Sequence, residues 1–474
     1  MSRVKGSIVT MTMSRSPAIW SPALPEGGGP LYLRLAAALE RDIAAGRLGP
    51  GQRLPPQRDL AYRLGVGIGT VTKAYLEAEA RGLIEAHVGR GSFVRNRRGA
   101  GRTAGEPPAD LARNIAPLAP AERRLPETLA RLRRRADLME HLGYAPPLGV
   151  EAHRRAAAAW LERSSATGRL DWRRLMVCGG AQEAISLALA MLARPGETVM
   201  AEAASFIGIK SAAEEAGLSL LGLRMDRQGV LPEALDEAAA AGARLVYLMP
   251  TLQNPTGRTM GAERRAEIVR IARARDLLIL EDDIYAPLAE GVRPAALAAL
   301  APERTFYLTS LSKAVAPGLR AGFLVAPRPE DLDAAVPVVR ARCYAPAAIG
   351  PLIAAVWMEE GIADEIAAEV RQEIGARAAM ARAVLAGALE PAAAGPAPHL
   401  WLPMPELQAE RLAARVARDG VEVTPPSAPI VEPQLIQGVR LCLGAVRERE
   451  MLQAALESVA AALAAGTRPS DGLV

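Results

Sequence analysis

Apolar residues recur with a helical period over residues 31–45, followed by a loop closed by Leu54-Pro55-Pro56. The pattern then predicts a short helix from about Gln57, carrying Leu60, Ala61 and Leu64, and a turn at Gly65-Val66-Gly67. A third helix is expected over residues 70–80, with Val71, Ala74 and Tyr75 turned inward. Two short strands at 83–85 and 92–94 flank Val88-Gly89-Arg90-Gly91, a glycine-tipped wing carrying one cation. Residues 1–28 lack periodic hydrophobics and read as a flexible tail. Residues 29–95 then form one small domain, and the charged, Gly- and Pro-rich stretch 96–110 reads as a linker.

From 111 to 468 the pattern changes, and 469–474 reads as a tail. Short apolar runs at 175–178, 198–201, 218–223, 245–248, 277–280, 305–308 and 322–325 read as strands. Amphipathic segments such as 181–193 and 262–274 lie between them. The alternation predicts an α/β domain with a mostly parallel sheet covered on both faces. Beyond Val336 the pattern is mainly helical, to a last helix near 448–464.

Composition narrows the classes. Cys178, Cys343 and Cys442 are widely spaced, which excludes a disulfide scaffold and a structural zinc site. His87, His141, His153 and His399 form no ligand cluster, and no metal site is expected; His399 and Trp401 read as packing. No run of 18 apolar residues and no signal-peptide core occur, so the expected place is the cytoplasm, with no membrane partner. Only four of the 57 basic residues are lysine (Lys5, Lys73, Lys210 and Lys313), so a lysine invites a chemical explanation. Residues 1–102 carry 16 basic and 7 acidic side chains, although the whole chain is only +5. A basic head on a mildly acidic body points to a polyanion, with double-stranded DNA the default.

Four clusters fall at strand ends, where open α/β sheets bind ligands. They are Cys178-Gly179-Gly180-Ala181-Gln182; Gln253-Asn254-Pro255-Thr256-Gly257; Glu281-Asp282-Asp283-Ile284-Tyr285; and Ser310-Leu311-Ser312-Lys313, followed by Pro317-Gly318-Leu319-Arg320. Together they supply what pyridoxal 5'-phosphate needs. A lysine joins the aldehyde as a Schiff base, and a carboxylate keeps the pyridine nitrogen protonated. Asn and Tyr can hydrogen-bond the ring hydroxyl, while Ser, Arg and helix-end amides hold the phosphate.

Residues 30–95, through Leu54-Pro-Pro-Gln-Arg-Asp-Leu-Ala61, Thr70-Val-Thr-Lys-Ala-Tyr75 and Gly89-Arg-Gly-Ser-Phe-Val94, resemble the winged helix-turn-helix of the GntR regulators. The resemblance implies DNA contacts from Arg53, Arg58, Thr70, Thr72, Lys73 and Arg90. Gly67-Ile68 departs from the family's frequent Ser-Arg, removing one contact.

Residues 110–468 resemble fold-type I aminotransferases. That resemblance implies Lys313 as the Schiff-base lysine, with Asp282, rather than Asp283, at the pyridine nitrogen. It puts Tyr285 and Asn254 at the ring hydroxyl, and Gly180, Ala181, Gln182, Ser310, Ser312 and Arg320 at the phosphate. Phe206 would stack on the ring, although the usual proline two residues before it is missing. Arg440 would grip a substrate or effector carboxylate, and Tyr144 would reach a neighbouring subunit's phosphate.

A GntR head on an aminotransferase-like body resembles the MocR group of regulators. This implies a pyridoxal-phosphate-dependent transcription factor, a head-to-tail homodimer, that senses the cofactor, an amino acid or an amine. The same residues, with Lys313, Asp282 and Tyr285 catalytic, would also serve an active aminotransferase carrying an accessory DNA-binding head.

Overall fold

The computed structural model describes residues 20, 22, 30–45, 47–49, 52–81, 83–87, 91–94, 108–291, 293–390 and 397–466. The chain divides into two compact units, residues 1–107 and 108–474. Arg90 and most of the expected linker lie outside the described residues.

The first unit holds three helices, α1 (Leu31–Ala44), α2 (Gln57–Leu64) and α3 (Ile68–Ala80), then β1 (Ile84–His87) and β2 (Gly91–Val94). Gly65 ends α2 in the left-handed conformation, φ +63°, which lets the chain turn at once toward α3. Gly67 is extended, so α3 begins at Ile68, earlier than the periodicity predicts. β1 and β2 pair antiparallel, from Ile84 opposite Val94 to His87 opposite Gly91.

Leu35, Leu39, Leu60, Ala61, Val71, Ala74, Tyr75 and Val94 form the core, and the Tyr75 hydroxyl donates to the Pro55 carbonyl at 2.9 Å. Trp20 corrects the expectation of a wholly flexible tail, because its ring is buried in this core. Its indole N–H donates to Asp42 at 2.8 Å, and Arg47 pairs with the same carboxylate at 2.6 Å. Burial works against charge on Asp42, but hydrogen bonds from Arg47 and Trp20 outweigh it and hold the carboxyl below its ordinary pKa.

The first strand of the second unit is β3 (Ala109–Leu111), and its first two residues lie inside the stretch read as linker. Its other strands are β4 (Leu175–Cys178), β5 (Thr198–Glu202), β6 (Ser219–Leu223), β7 (Met225–Asp226), β8 (Gly229–Val230), β9 (Leu245–Leu248), β10 (Leu278–Asp282), β11 (Thr305–Ser310), β12 (Gly322–Val325), β13 (His399–Pro403), β14 (Val421–Val423) and β15 (Gly438–Cys442). Seven of them form one sheet in the order β4-β12-β11-β10-β9-β5-β6. The strands from β11 to β6 run parallel, while β12 is antiparallel to both β11 and β4. β4, β9, β11 and β12 are buried along their whole length, as a sheet covered on both faces requires.

The C-terminal part is less purely helical than its pattern suggests, because β13 pairs with β15 and β14 with β3. β14 has three residues and a partner at the other end of the domain, so no local alternation announces it. No helix among the described residues is long and apolar enough to cross a membrane.

Candidate functional site

A cavity of about 210 Å³ opens where the parallel strands end. The loop after β4 brings Ala181 and Gln182 to it, and the loop after β9 brings Asn254. The end of β10 contributes Asp282 and Tyr285, and the end of β11 contributes Ser310, Ser312 and Lys313. Because β12 is antiparallel, it starts where its neighbours stop, so Arg320, two residues ahead of it, joins the same rim.

One end of the cavity is built for an anion. The helix Ala181–Leu192 starts there without a side-chain cap, leaving backbone N–H groups to a ligand. Gly180 precedes it at φ +106°, and a Cβ there would lie 2.9 Å from the Arg320 guanidinium. Gln182 is fixed by donating to the Gly208 carbonyl at 2.9 Å. Phe206 also lines the cavity.

The opposite end is a polar network among buried groups. Strand alternation in β9 and β10 puts Tyr247 and Asp282 on one face, and the Tyr247 hydroxyl donates to Asp282 at 2.6 Å. Burial pushes the Asp282 carboxyl up to about 7, against the hydrogen bonds from Tyr247 and the Ile284 amide. Asp283 does not line the cavity; it accepts from Tyr307 at 3.3 Å on the other side of the strand end. Tyr285 is buried, which pushes its hydroxyl far above its ordinary pKa, and it accepts from the Asn114 amide at 2.9 Å.

Lys313 is half-buried, donates to the Asn114 carbonyl, and is lowered by burial to about 8, with the charges of Arg440 and Arg320 adding to that effect. Arg440 is buried beside the cavity rather than on its wall. Its guanidinium donates to Asn254 at 2.8 Å, to Thr424 at 2.8 and 3.0 Å, and to the Ala112 carbonyl at 2.8 Å.

Three residues of this network carry no signal in the sequence. Tyr247 reads as strand core until the β9–β10 register is known. Asn114 belongs to no motif, yet it touches Tyr285, Lys313 and His399. His399, expected to be packing, has both ring nitrogens engaged at 2.9 Å, one with Asn114 and one with the Gln253 carbonyl, and its ring lies 5.3 Å from that of Tyr285. Burial drives its pKa down to about 3, so it is neutral and directional. Tyr144 stands apart from the cavity, 85% exposed, edge-on to Tyr344.

In the first unit, Arg58 and Lys73 are exposed and Thr70 is half-buried. Arg53 lies at the foot of the wing, its Nε 3.1 Å from where a Gly91 Cβ would be. The Thr72 hydroxyl donates inward, to Gln57 at 2.8 Å, and so ties α3 to the start of α2. Ile68, in the place of a polar contact, opens α3 with 47% exposure.

These features define a class: a winged helix-turn-helix head on a fold-type I aminotransferase-like body. The chain belongs to the aminotransferase class I and II family, whose pattern matches residues 107–459, and the gntR family of bacterial regulatory proteins matches residues 31–94. The combination is that of the MocR-type transcriptional regulators.

The chain is 30% identical over 334 residues to the uncharacterized HTH-type transcriptional regulator YdeF of Bacillus subtilis, covering 66% of this chain and 68% of that one. It is 28% identical over 361 residues to the probable rhizopine catabolism regulatory protein MocR of Rhizobium meliloti, covering 70% and 72%. Among solved structures, an archaeal alanine:glyoxylate aminotransferase superposes with a TM-score of 0.70 at 24% identity, over 77% of this chain and 92% of that one, a likeness of fold. The body's fold family is pyridoxal-phosphate-dependent, and the GntR head implies DNA binding.

Proposed function

We propose that the body binds pyridoxal phosphate at Lys313 and senses an amino acid or amine there, and that the head transmits the outcome to operator DNA. The observation that carries this reading is one cavity uniting Lys313, Asp282, Tyr285 and an uncapped helix start beside Arg320, in a chain with a winged helix-turn-helix. The fit to the cofactor rests on the cradle at Gly180: a side chain there would press on the Arg320 guanidinium, so only glycine lets that charge sit beside the uncapped helix start.

When bound, pyridoxal phosphate supplies an aldehyde that captures primary amines and a ring that withdraws electrons. Arg320, Ser310, Ser312 and the amides of Ala181 and Gln182 hold its phosphate. Asp282 holds the ring nitrogen's proton, Tyr285 and Asn254 orient the ring hydroxyl, and Phe206 covers the ring. Arg440, held beside Asn254, receives a carboxylate as a bidentate pair, a grip that lysine would not reproduce. Tyr144, exposed and outside its own cavity, would reach the phosphate of a second subunit in a head-to-tail homodimer.

The test is paired: operator affinity with and without a panel of amino acids and amines, and turnover with the same amino acid plus a 2-oxoacid. A regulator shifts operator affinity and turns over slowly or not at all. Multiple turnover at about 1–1000 per second with operator affinity unchanged would establish a metabolic aminotransferase instead.

A further inference from the structure

The segment 112–117 forms a strap along the cavity, with Asn114 and Ile115 on its wall, and it is held by the cationic groups assigned above to a ligand. The Ala112 carbonyl accepts from Arg440 at 2.8 Å and from Thr424 at 3.0 Å, and the Asn114 carbonyl accepts from Lys313. The Asn114 side chain donates to Tyr285 and meets His399, both at 2.9 Å, while its oxygen Oδ1 is buried without a partner. Two further facts describe the strap's surroundings. Ile115 also borders a second cavity of about 850 Å³ on the strap's other side, which leaves room to shift. Gly444 admits the strap only because it lacks a side chain, since a Cβ would sit 1.8 Å from the Ile115 carbonyl oxygen.

Resting on the reading above, we propose that Asn114 is a positioning residue through which the strap reads the bonding state of Lys313 and passes it to the linker, with which the strap is continuous through β3. As a free ammonium, Lys313 has three hydrogens and a charge, and it anchors the Asn114 carbonyl. When its amine adds to the cofactor's aldehyde carbon, one water leaves and the nitrogen keeps at most one hydrogen, so the anchor is lost. An incoming primary amine would form its own C=N bond at that carbon as the bond to Lys313 breaks; one of its protons passes to Lys313, which leaves as an amine with two hydrogens and takes up a further proton from solvent to regain the ammonium anchor. The ligand's carboxylate at Arg440 then competes with the Ala112 carbonyl. Lysine and arginine therefore pull the strap in a different combination in each state, which is the differential contact that coupling requires.

Hydrogen–deuterium exchange over residues 109–118 of the full-length protein tests the strap directly. Without cofactor, Lys313→Ala should exchange there at least fivefold faster than wild type, and wild type should speed up similarly when pyridoxal phosphate is added. Gly444→Ala, which leaves Lys313 in place, should loosen the strap without any cofactor. Asn114→Ala keeps the carbonyl that meets Lys313 but loses the side-chain ties to Tyr285 and His399; it should still form the reducible visible band at Lys313, yet exchange over residues 109–118 at least fivefold faster than wild type without cofactor. Equal exchange in cofactor-free wild type and Lys313→Ala, or exchange in cofactor-free Asn114→Ala no faster than in wild type, overturns the proposal. Absence of a visible band in wild type overturns the cofactor reading instead, while the cofactor-free comparison still decides the strap.

Discussion

Gly322 faces Gly180 so closely that a Cβ on Gly322 would lie 2.5 Å from the Gly180 carbonyl carbon. The pairing of Gly322 with Cys178 creates this contact, drawing the start of β12 against the turn that follows β4. Arg320 is thereby delivered to the anion-binding end of the cavity. Two strands running in opposite directions thus bring an uncapped helix start and an arginine together.

The cradle predicts its own sensitivity. Gly180→Ala strains a residue at φ +106° and pushes on Arg320, and Arg320→Ala removes the charge. Charged hydrogen bonds of this kind are worth about 1.5–3 kcal/mol, so each variant should retain pyridoxal phosphate about 10- to 100-fold more weakly. Equilibrium dialysis measures this, and wild-type affinity in both variants would remove the phosphate from this end.

Lys313 should give an absorbance band near the visible edge that borohydride abolishes and that Lys313→Ala never shows. Loading should also depend on pH. Burial lowers the lysine to about 8, and only the neutral amine attacks an aldehyde. The loading rate of cofactor-free protein should therefore rise with pH up to about 8 and then level off. A rate that keeps climbing toward pH 10 would mean an ordinary exposed lysine. Rapid-mixing absorbance follows it.

On the head, Arg58→Ala and Lys73→Ala should weaken operator binding, each lowering the slope of log affinity against log salt by about 1. Thr72→Val should behave differently. Its hydroxyl holds Gln57, so the loss, about 1 kcal/mol, should appear in head stability with the salt slope unchanged. Fluorescence anisotropy at several salt concentrations separates the two behaviours.

Trp20→Ala should destabilise the head by about 3–5 kcal/mol, the usual cost of emptying a buried Trp site. Trp20→Phe keeps most of the volume but leaves Asp42 one donor short, at a cost of about 1–3 kcal/mol. Thermal unfolding of the full chain, monitored by probes in each unit, should show the head transition move while that of the body stays. An unshifted head transition in Trp20→Ala would return residue 20 to the tail.

What the sequence determined by itself is local. Helix and strand periods, the glycine turn at Gly65 and the four strand-end clusters are set by residues close together in the chain. They were therefore legible, and the family resemblance implied a chemistry for Lys313, Asp282 and Arg320. Periodicity misplaced what depends on distant partners: Trp20 looks like tail without Asp42 beside it, and Ala109 looks like linker without β14.

The tertiary structure alone decided the network around Lys313. Asn114 meets Tyr285 across 171 residues and His399 across 285, and Tyr247 reaches Asp282 only through the register of two adjacent strands. The same holds for Arg440, whose residue type suggests a carboxylate grip but whose present partners include a backbone carbonyl of the strap. Side-chain chemistry is written in the sequence, but a hydrogen bond needs its two atoms within about 3 Å, and for residues this far apart only the packed sheet sets that distance.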